Sequence, residues 1–96
     1  MKGPYQTYFR PHTVQKVAYT GTAGTITNPV GAGVSAVRLV VSSNAFVAFG
    51  TSPTATTSHM YMSAGVPEYF AIQPGEKVSA IQDAAGGTLY VTELTA

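Results

Sequence analysis

The sequence contains no cysteine and few charged residues. Of its 96 residues, five are Lys or Arg and four are Asp or Glu, so charged residues make up 9% of the chain, against about 25% in ordinary soluble domains. The absence of cysteine excludes disulfides, thiolate nucleophiles and cysteine-rich zinc sites. A domain of this composition must be stabilised by packing alone or by association with other chains.

Long hydrophobic runs are also missing. No apolar stretch reaches the about 18 residues that span a bilayer, and the first twelve residues, MKGPYQTYFRPH, lack the apolar core of a signal peptide. We therefore expect a soluble, unexported protein. A chain of 96 residues supports one hydrophobic core, and its 45% hydrophobic content argues against disorder.

The few basic residues are scattered along the chain, and the formal net charge is only +1. They form no stripe that could neutralise a phosphate backbone, so the sequence does not predict a nucleic-acid partner. The chain also lacks a Gly-x-Ser-x-Gly nucleophile motif and a phosphate-binding loop with its lysine. We therefore predict a non-enzymatic protein with no cofactor, no metal and no small-molecule substrate.

What the sequence does contain is a pattern of short strands. Thr, Val, Tyr and Phe are frequent, and ten glycines and six prolines interrupt them at short intervals. We predict an all-β fold: a single antiparallel β-sandwich or jelly-roll-like domain over residues 13–96, preceded by an extended N-terminal arm over residues 1–12. The eight predicted strands are residues 13–20, 25–27, 37–41, 45–49, 59–62, 68–73, 77–82 and 88–94.

Two connections between these strands carry specific predictions. The strands at 37–41 and 45–49 are separated by only three polar residues, which predicts a hairpin. Pro74-Gly75 suits the central positions of a type II turn, because Pro presets its φ and Gly supplies the positive φ.

The predicted hairpin is apolar on both faces, whereas a half-exposed antiparallel strand has one polar face. Val40, Val47 and Phe49 stand opposite other apolar side chains of the same strands. Either other parts of the domain cover the outer face, or another subunit does. The low charge favours the second interpretation, because Lys and Glu normally protect exposed strand edges.

The side chains that could perform acid, base or metal chemistry are few. His59 and His12 are 47 positions apart and neither belongs to a motif, so we expect surface or interface histidines. A glycosidase would need two of the four acids to converge in a groove. Glu76 and Asp83 fall in predicted turns, where acids are commonly solvated or cap backbone amides, and Glu68 and Glu93 fall on predicted strands.

Aromatic residues offer a better candidate for binding. Six tyrosines and four phenylalanines could build a platform for sugars or bases, although core filling and subunit contacts explain them more simply. The segment Tyr5-Gln-Thr-Tyr8-Phe9-Arg10 has the composition of an interface anchor. We predict arm contacts through Tyr5, Tyr8, Phe9 and Arg10, and a sheet-face contact through Val40, Val47 and Phe49.

Six short motifs follow one another between residues 37 and 94. They are VRLVV at 37–41, FGTSPTAT at 49–56, MYM at 60–62, AGVPEYF at 64–70, PGEKV at 74–78 and GTLYVTEL at 87–94. In this order the motifs resemble small virion proteins of tailed bacteriophages. The resemblance, over the block from residue 37 to residue 94, covers about two thirds of the chain and includes no catalytic signature. The N-terminal third matches less well.

This resemblance implies a β-sandwich or jelly-roll decoration (cement) protein. Such a protein is expected on the outer surface of the phage head, bound to the major capsid protein or another virion protein and associated with itself as a dimer or trimer. It would be soluble in the host cytoplasm before assembly, with no nucleic-acid or membrane partner. Three alternatives remain open: a tail, neck or head–tail joining subunit, a glycan-binding module, and a small hydrolase.

Overall fold

Eight β-strands make up the regular structure of the described part of the chain. The computed structural model describes residues 9–95. Its strands are β1 (Arg10–Tyr19), β2 (Gly24–Thr25), β3 (Ala36–Val41), β4 (Ala45–Gly50), β5 (Met60–Met62), β6 (Glu68–Ala71), β7 (Lys77–Gln82) and β8 (Gly87–Thr95). The described residues form no helix, and hence none long and apolar enough to cross a membrane. The all-β prediction is confirmed, and each predicted strand corresponds to an observed one.

The strands form two antiparallel sheets of four. Sheet A has the order β1-β8-β3-β6, and sheet B has the order β2-β7-β4-β5. The pairs β1–β8, β2–β7, β3–β6 and β4–β5 nest inside one another, so the chain follows the path of one long hairpin that has been rolled up. Eight strands in two sheets with this nested order form a jelly roll.

The predicted hairpin of residues 37–49 is wrong. β3 lies in sheet A between β8 and β6, whereas β4 lies in sheet B between β7 and β5. The residues between them turn a corner from one sheet to the other. Because the chain changes sheets here, Leu39 of β3 and Val47 of β4 face the same core from opposite sides, and both are buried.

The core lies between the two sheets and is made of the inward side chains of both. Along β3 buried and half-buried residues alternate, with Val37, Leu39 and Val41 inside. The buried cluster comprises Tyr19, Ile26, Val30, Val34, Val37, Leu39, Val41, Ala45, Val47, Met62, Ile72, Val78, Ala80, Leu89 and Val91.

The predicted type II turn is consistent with the structure. Gly75 has a φ of 90° and the Glu76 N–H donates to the Gln73 carbonyl across 3.1 Å. The Glu76 carboxylate in turn accepts the Gln73 N–H at 2.8 Å, so this acid caps a backbone amide as expected of a turn position. The turn connects β6 of sheet A to β7 of sheet B.

A polar corner closes one end of the sandwich. The buried Tyr19 hydroxyl donates to the Ser43 carbonyl and accepts the Ser43 N–H at 3.2 Å. Ser42 Oγ accepts the Thr88 N–H at 2.8 Å. Gly87 is required at this corner, because a Cβ there would lie 2.6 Å from the Tyr19 hydroxyl oxygen. The corner therefore ties the ends of β1 and β3 to the start of β8.

The first strand begins earlier than predicted. β1 starts at Arg10 and pairs with β8 from its first residue, so residues 10–12 of the predicted arm belong to the sandwich. Between Pro11 and Val14 the register shifts by one extra residue on β1, which is a β-bulge. Phe9 lies just ahead of the strand and is exposed.

Candidate binding face

The register fixes three cross-strand rows on the outer face of sheet A. The side chains of each row come from neighbouring strands and point away from the core. The rows are Pro11–Leu94–Ala36–Ala71, Val14–Thr92–Arg38–Tyr69 and Lys16–Tyr90–Val40. The outer face is therefore mainly apolar and aromatic, whereas the solvent side of an antiparallel sheet is usually polar.

Several apolar side chains on this face are open to solvent. Val14 and Tyr69 are each 62% exposed, Phe9 is 42% exposed and Tyr90 is 39% exposed. A groove of about 530 Å³ runs over the first two rows. It is lined by Phe9, Pro11, Val14, Arg38, Tyr69, Thr92 and Leu94. Contiguous exposed apolar surface of this kind marks an interaction site more often than isolated apolar residues do.

The outer face of sheet B is partly covered by the chain itself. The connection between β4 and β5 crosses it, where the Ala55 N–H donates to Ser79 Oγ at 3.0 Å and Thr25 Oγ1 donates to the Pro53 carbonyl at 3.2 Å. Ala48, Ala55 and Ser79 are buried as a result. At this part of β4, the apolar outer face is covered by the same domain and not by another subunit, which is the first of the two interpretations of the sequence.

Beyond that cover, sheet B presents one aromatic row. Phe46 pairs with Tyr61 on one side and with Ile81 on the other. The Phe46 and Tyr61 rings meet edge to face with centroids 5.5 Å apart, and Tyr61 is 46% exposed. We call this row, Tyr61–Phe46–Ile81, the sheet B row. It carries no charge.

The predicted interface residues divide between the two sides of the sheets. Phe9 lines the groove, and Val40 lies half-buried in the third row of the outer face of sheet A. Arg10 is exposed at the start of β1. Tyr5 and Tyr8 lie outside the described residues.

The structure corrects the predictions for Val47 and Phe49. Val47 is 2% exposed and belongs to the core, and Phe49 packs against the core with its ring 5.5 Å from that of Phe70 on the other sheet. Both side chains occupy the alternate positions of β4 that face the core, whereas Phe46 and Ala48 lie on the outer side of sheet B. Neither is available for a contact on an outer face.

Of the residues that line the groove, only Phe9 was among the predicted interface residues. The six others are Pro11, Val14, Arg38, Tyr69, Thr92 and Leu94. Alternation along β6 separated Tyr69 from Phe70, but it could not tell which of them faces the core. The assignment depends on the pairing of β6 with β3, where Tyr69 lies opposite Arg38 on the outer side. That pairing joins strands about 30 residues apart and leaves no local signal.

His59 stabilises a turn of the loop that covers sheet B. Its ring Nδ1 accepts the backbone N–H of Thr56 at 2.8 Å, and the backbone N–H of His59 donates to the Thr56 carbonyl at 3.0 Å. His59 is exposed, so its ring lies on the solvent side of this loop. These hydrogen bonds stabilise the loop conformation, which gives His59 a structural role.

The other ionisable side chains do not assemble a site of the metal kind within residues 9–95, where no three His, Cys, Asp or Glu are grouped. His12 is exposed in the bulged part of β1, with Nδ1 3.1 Å from Thr13 Oγ1. Glu93 is buried on the inner side of β8, opposite Val37, and Glu68 lies opposite Leu39. Asp83 is exposed in the connection before β8.

Comparison of the chain with protein-family models, curated proteins and solved structures finds no match.

Proposed function

We propose that this chain is a non-enzymatic structural protein of a bacteriophage virion, a decoration or cement protein that binds the outside of the head. The observation that carries the proposal is the open outer face of sheet A. There Val14, Tyr69 and Tyr90 are exposed on a four-stranded sheet. The sequence resemblance to small phage virion proteins supports the same function.

The mechanism is binding without chemistry. The outer face of sheet A would contact the major capsid protein, and repetition over a symmetric shell would multiply a modest single contact by avidity. The sheet B row lies on the opposite side of the sandwich and is uncharged. Its aromatic rings are suited to self-association as a dimer or trimer.

Reconstitution on capsids tests this function. Purified protein is added to expanded empty phage heads that lack it, and the heads are examined by electron microscopy. We expect periodic density on the outer surface, and we expect Tyr69→Ser to remove it because this substitution takes an exposed ring out of the groove. The control variant Val66→Ser removes an exposed apolar side chain that does not line the groove and should decorate normally.

No added density at saturating protein concentration would end the decoration proposal. Binding in a ring of on the order of ten copies at the neck or tail, by the symmetry of connectors, would instead support the head–tail joining alternative.

Sedimentation of Tyr61→Ser against the unaltered chain tests the self-association. A monomer in both cases would contradict it.

A glycan-binding module is the second candidate, favoured by the exposed rings of Tyr69 and Tyr90 on one face. Sugars stack on such rings, and the groove is of a size that small ligands occupy. Binding on a glycan array that Tyr69→Ala abolishes would support this alternative over the capsid function.

A further inference from the structure

Charge is distributed unevenly between the faces of the sandwich. In the described part of the chain, the charged side chains in the three rows of the sheet A outer face are Lys16 and Arg38, both cationic. The four acids of the chain lie elsewhere, on the inner side of strands or in connections. They are Glu68 opposite Leu39, Glu76 in the turn after β6, Asp83 before β8, and Glu93 opposite Val37. The face therefore offers positive charge with no acid in its rows to offset it.

Arg38 occupies the middle of the groove. It lies between Thr92 and Tyr69 in the second row and is half-buried. Apolar side chains, Val14 and Leu94 among them, form the walls around it. A guanidinium partly withdrawn from water binds a carboxylate through two parallel hydrogen bonds, and the surrounding apolar walls strengthen that interaction.

These features discriminate between occupants. Two copies of this face stacked on each other would bring Arg38 and Lys16 against their own counterparts, and like charges without acids repel. A nucleic acid needs a track of several cations, which two do not provide. A carboxylate flanked by aliphatic or aromatic side chains matches both the central cation and the apolar walls.

We infer that the groove binds an extended segment of a protein partner in which an Asp or Glu is flanked by apolar residues, with the carboxylate paired to Arg38. Lys16, in the neighbouring row, would attract further acidic residues of the same segment. The inference rests on the proposed function, because it specifies the chemistry of the capsid surface that the protein would recognise.

The experiment uses the full chain labelled with ¹⁵N and three short capped peptides. One alternates leucine with glutamate, and the other two replace glutamate by lysine or by glutamine. We expect the glutamate peptide to shift the amide resonances of Val14, Arg38, Tyr69 and Thr92. Its affinity should exceed that of the lysine and glutamine peptides by about tenfold or more, the difference expected for a charge-assisted pair. Added salt should weaken it.

The matched variants are Arg38→Gln and Lys77→Gln. Lys77 is a cation at the start of β7 in sheet B, so its replacement changes net charge equally without touching the groove. Arg38→Gln should lose about tenfold in affinity for the glutamate peptide, and Lys77→Gln should retain it. The peptide comparison on the unaltered protein stands whether or not Arg38→Gln folds.

Several results would overturn the inference. They are equal affinity for the glutamate and lysine peptides, no shifts at the highest soluble peptide concentration, and shifts confined to the sheet B row. Concentration-dependent shifts in the groove without peptide would identify a second copy as its occupant. If removal of residues 1–8 shifts the amide resonances of the groove residues as expected for an emptied groove, the occupant is the chain's own terminal segment.

The two proposals fail separately. If Arg38→Gln decorates capsids as well as the unaltered chain, the carboxylate inference is wrong and the decoration function stands. If capsids stay bare while the glutamate peptide binds through Arg38, the decoration function is wrong and the groove remains a site for acidic segments.

Discussion

Tyr19 shows how much one buried hydroxyl contributes to this fold. Its side chain is 2% exposed, and its hydroxyl holds both the N–H and the carbonyl of Ser43. Tyr19→Phe would leave these two backbone groups without that partner, so we expect the free energy of unfolding to fall by about 1–3 kcal/mol. Urea unfolding measures it. Tyr90→Phe, on an exposed ring, should change little, and an equal loss in both variants would contradict this account.

The same hydroxyl gives the protein a pH dependence in the alkaline range. Burial raises the pKa of Tyr19 above its ordinary value of 10.0, against smaller opposing effects of hydrogen bonds from Ser43 and Ser42. The unfolded chain therefore releases this proton at lower pH than the folded one. The stabilisation is complete below about pH 10 and is lost as pH rises through the raised pKa.

Comparison with Tyr19→Phe isolates this contribution. We expect the stability difference between the unaltered chain and the variant to shrink from about pH 8 to above pH 10, because only the unaltered chain has this group to titrate. Denaturant unfolding at the two pH values measures it. A difference that stays constant would show that the Tyr19 proton does not contribute.

Among the strands, β2 approaches β1 closely at Gly24, because glycine has no side chain there. A Cβ on Gly24 would lie 2.0 Å from the Ala18 carbonyl oxygen, so no other residue fits without moving the backbone. Gly24→Ala should lower the free energy of unfolding by about 1–3 kcal/mol or more. Gly31→Ala is the control, because its nearest atom is Glu93 Oε1 at 3.8 Å and its effect should stay within about 0.5 kcal/mol. Similar losses would contradict the close approach.

Strand positions could be predicted from the sequence, but strand partners could not. The alternation of Val37, Leu39 and Val41 and the turn residues on either side locate β3 to within one residue. The next three residues, 42–44, are compatible both with a hairpin and with a corner between two sheets. The corner forms because β8 and β6, from much later in the chain, pair with both edges of β3 and leave no edge for β4.

For the whole molecule, the nested pairing makes β8 the strand on which sheet A depends. It lies between β1 and β3, and it joins the beginning of the described chain to its end. A chain that ends at residue 86 would lose both ladders, so we expect no cooperative thermal transition by circular dichroism. Removal of residues 1–8 leaves every described strand pair in place and should preserve the transition. Cooperative melting of the shorter chain would contradict this view.

The all-β fold class and the low charge of the surface follow from the amino-acid sequence alone. Short runs of alternating residues between glycines and prolines specify strands locally. Because the chain has few charged residues, any exposed face has few charged side chains. Phe9 and Val40, two of the predicted interface residues, lie at the outer face of sheet A, and their part in an interface stays a prediction.

Which apolar side chains face outward depends on the three-dimensional fold. Val47 and Val40 look alike in the sequence, yet one is in the core and the other is on an outer face. The face that a strand residue takes depends on the register between strands distant in the chain, and a one-residue slip reverses it. The row that sets Arg38 between Thr92 and Tyr69 arises from such long-range pairing, so it is a property of the fold and not of any segment.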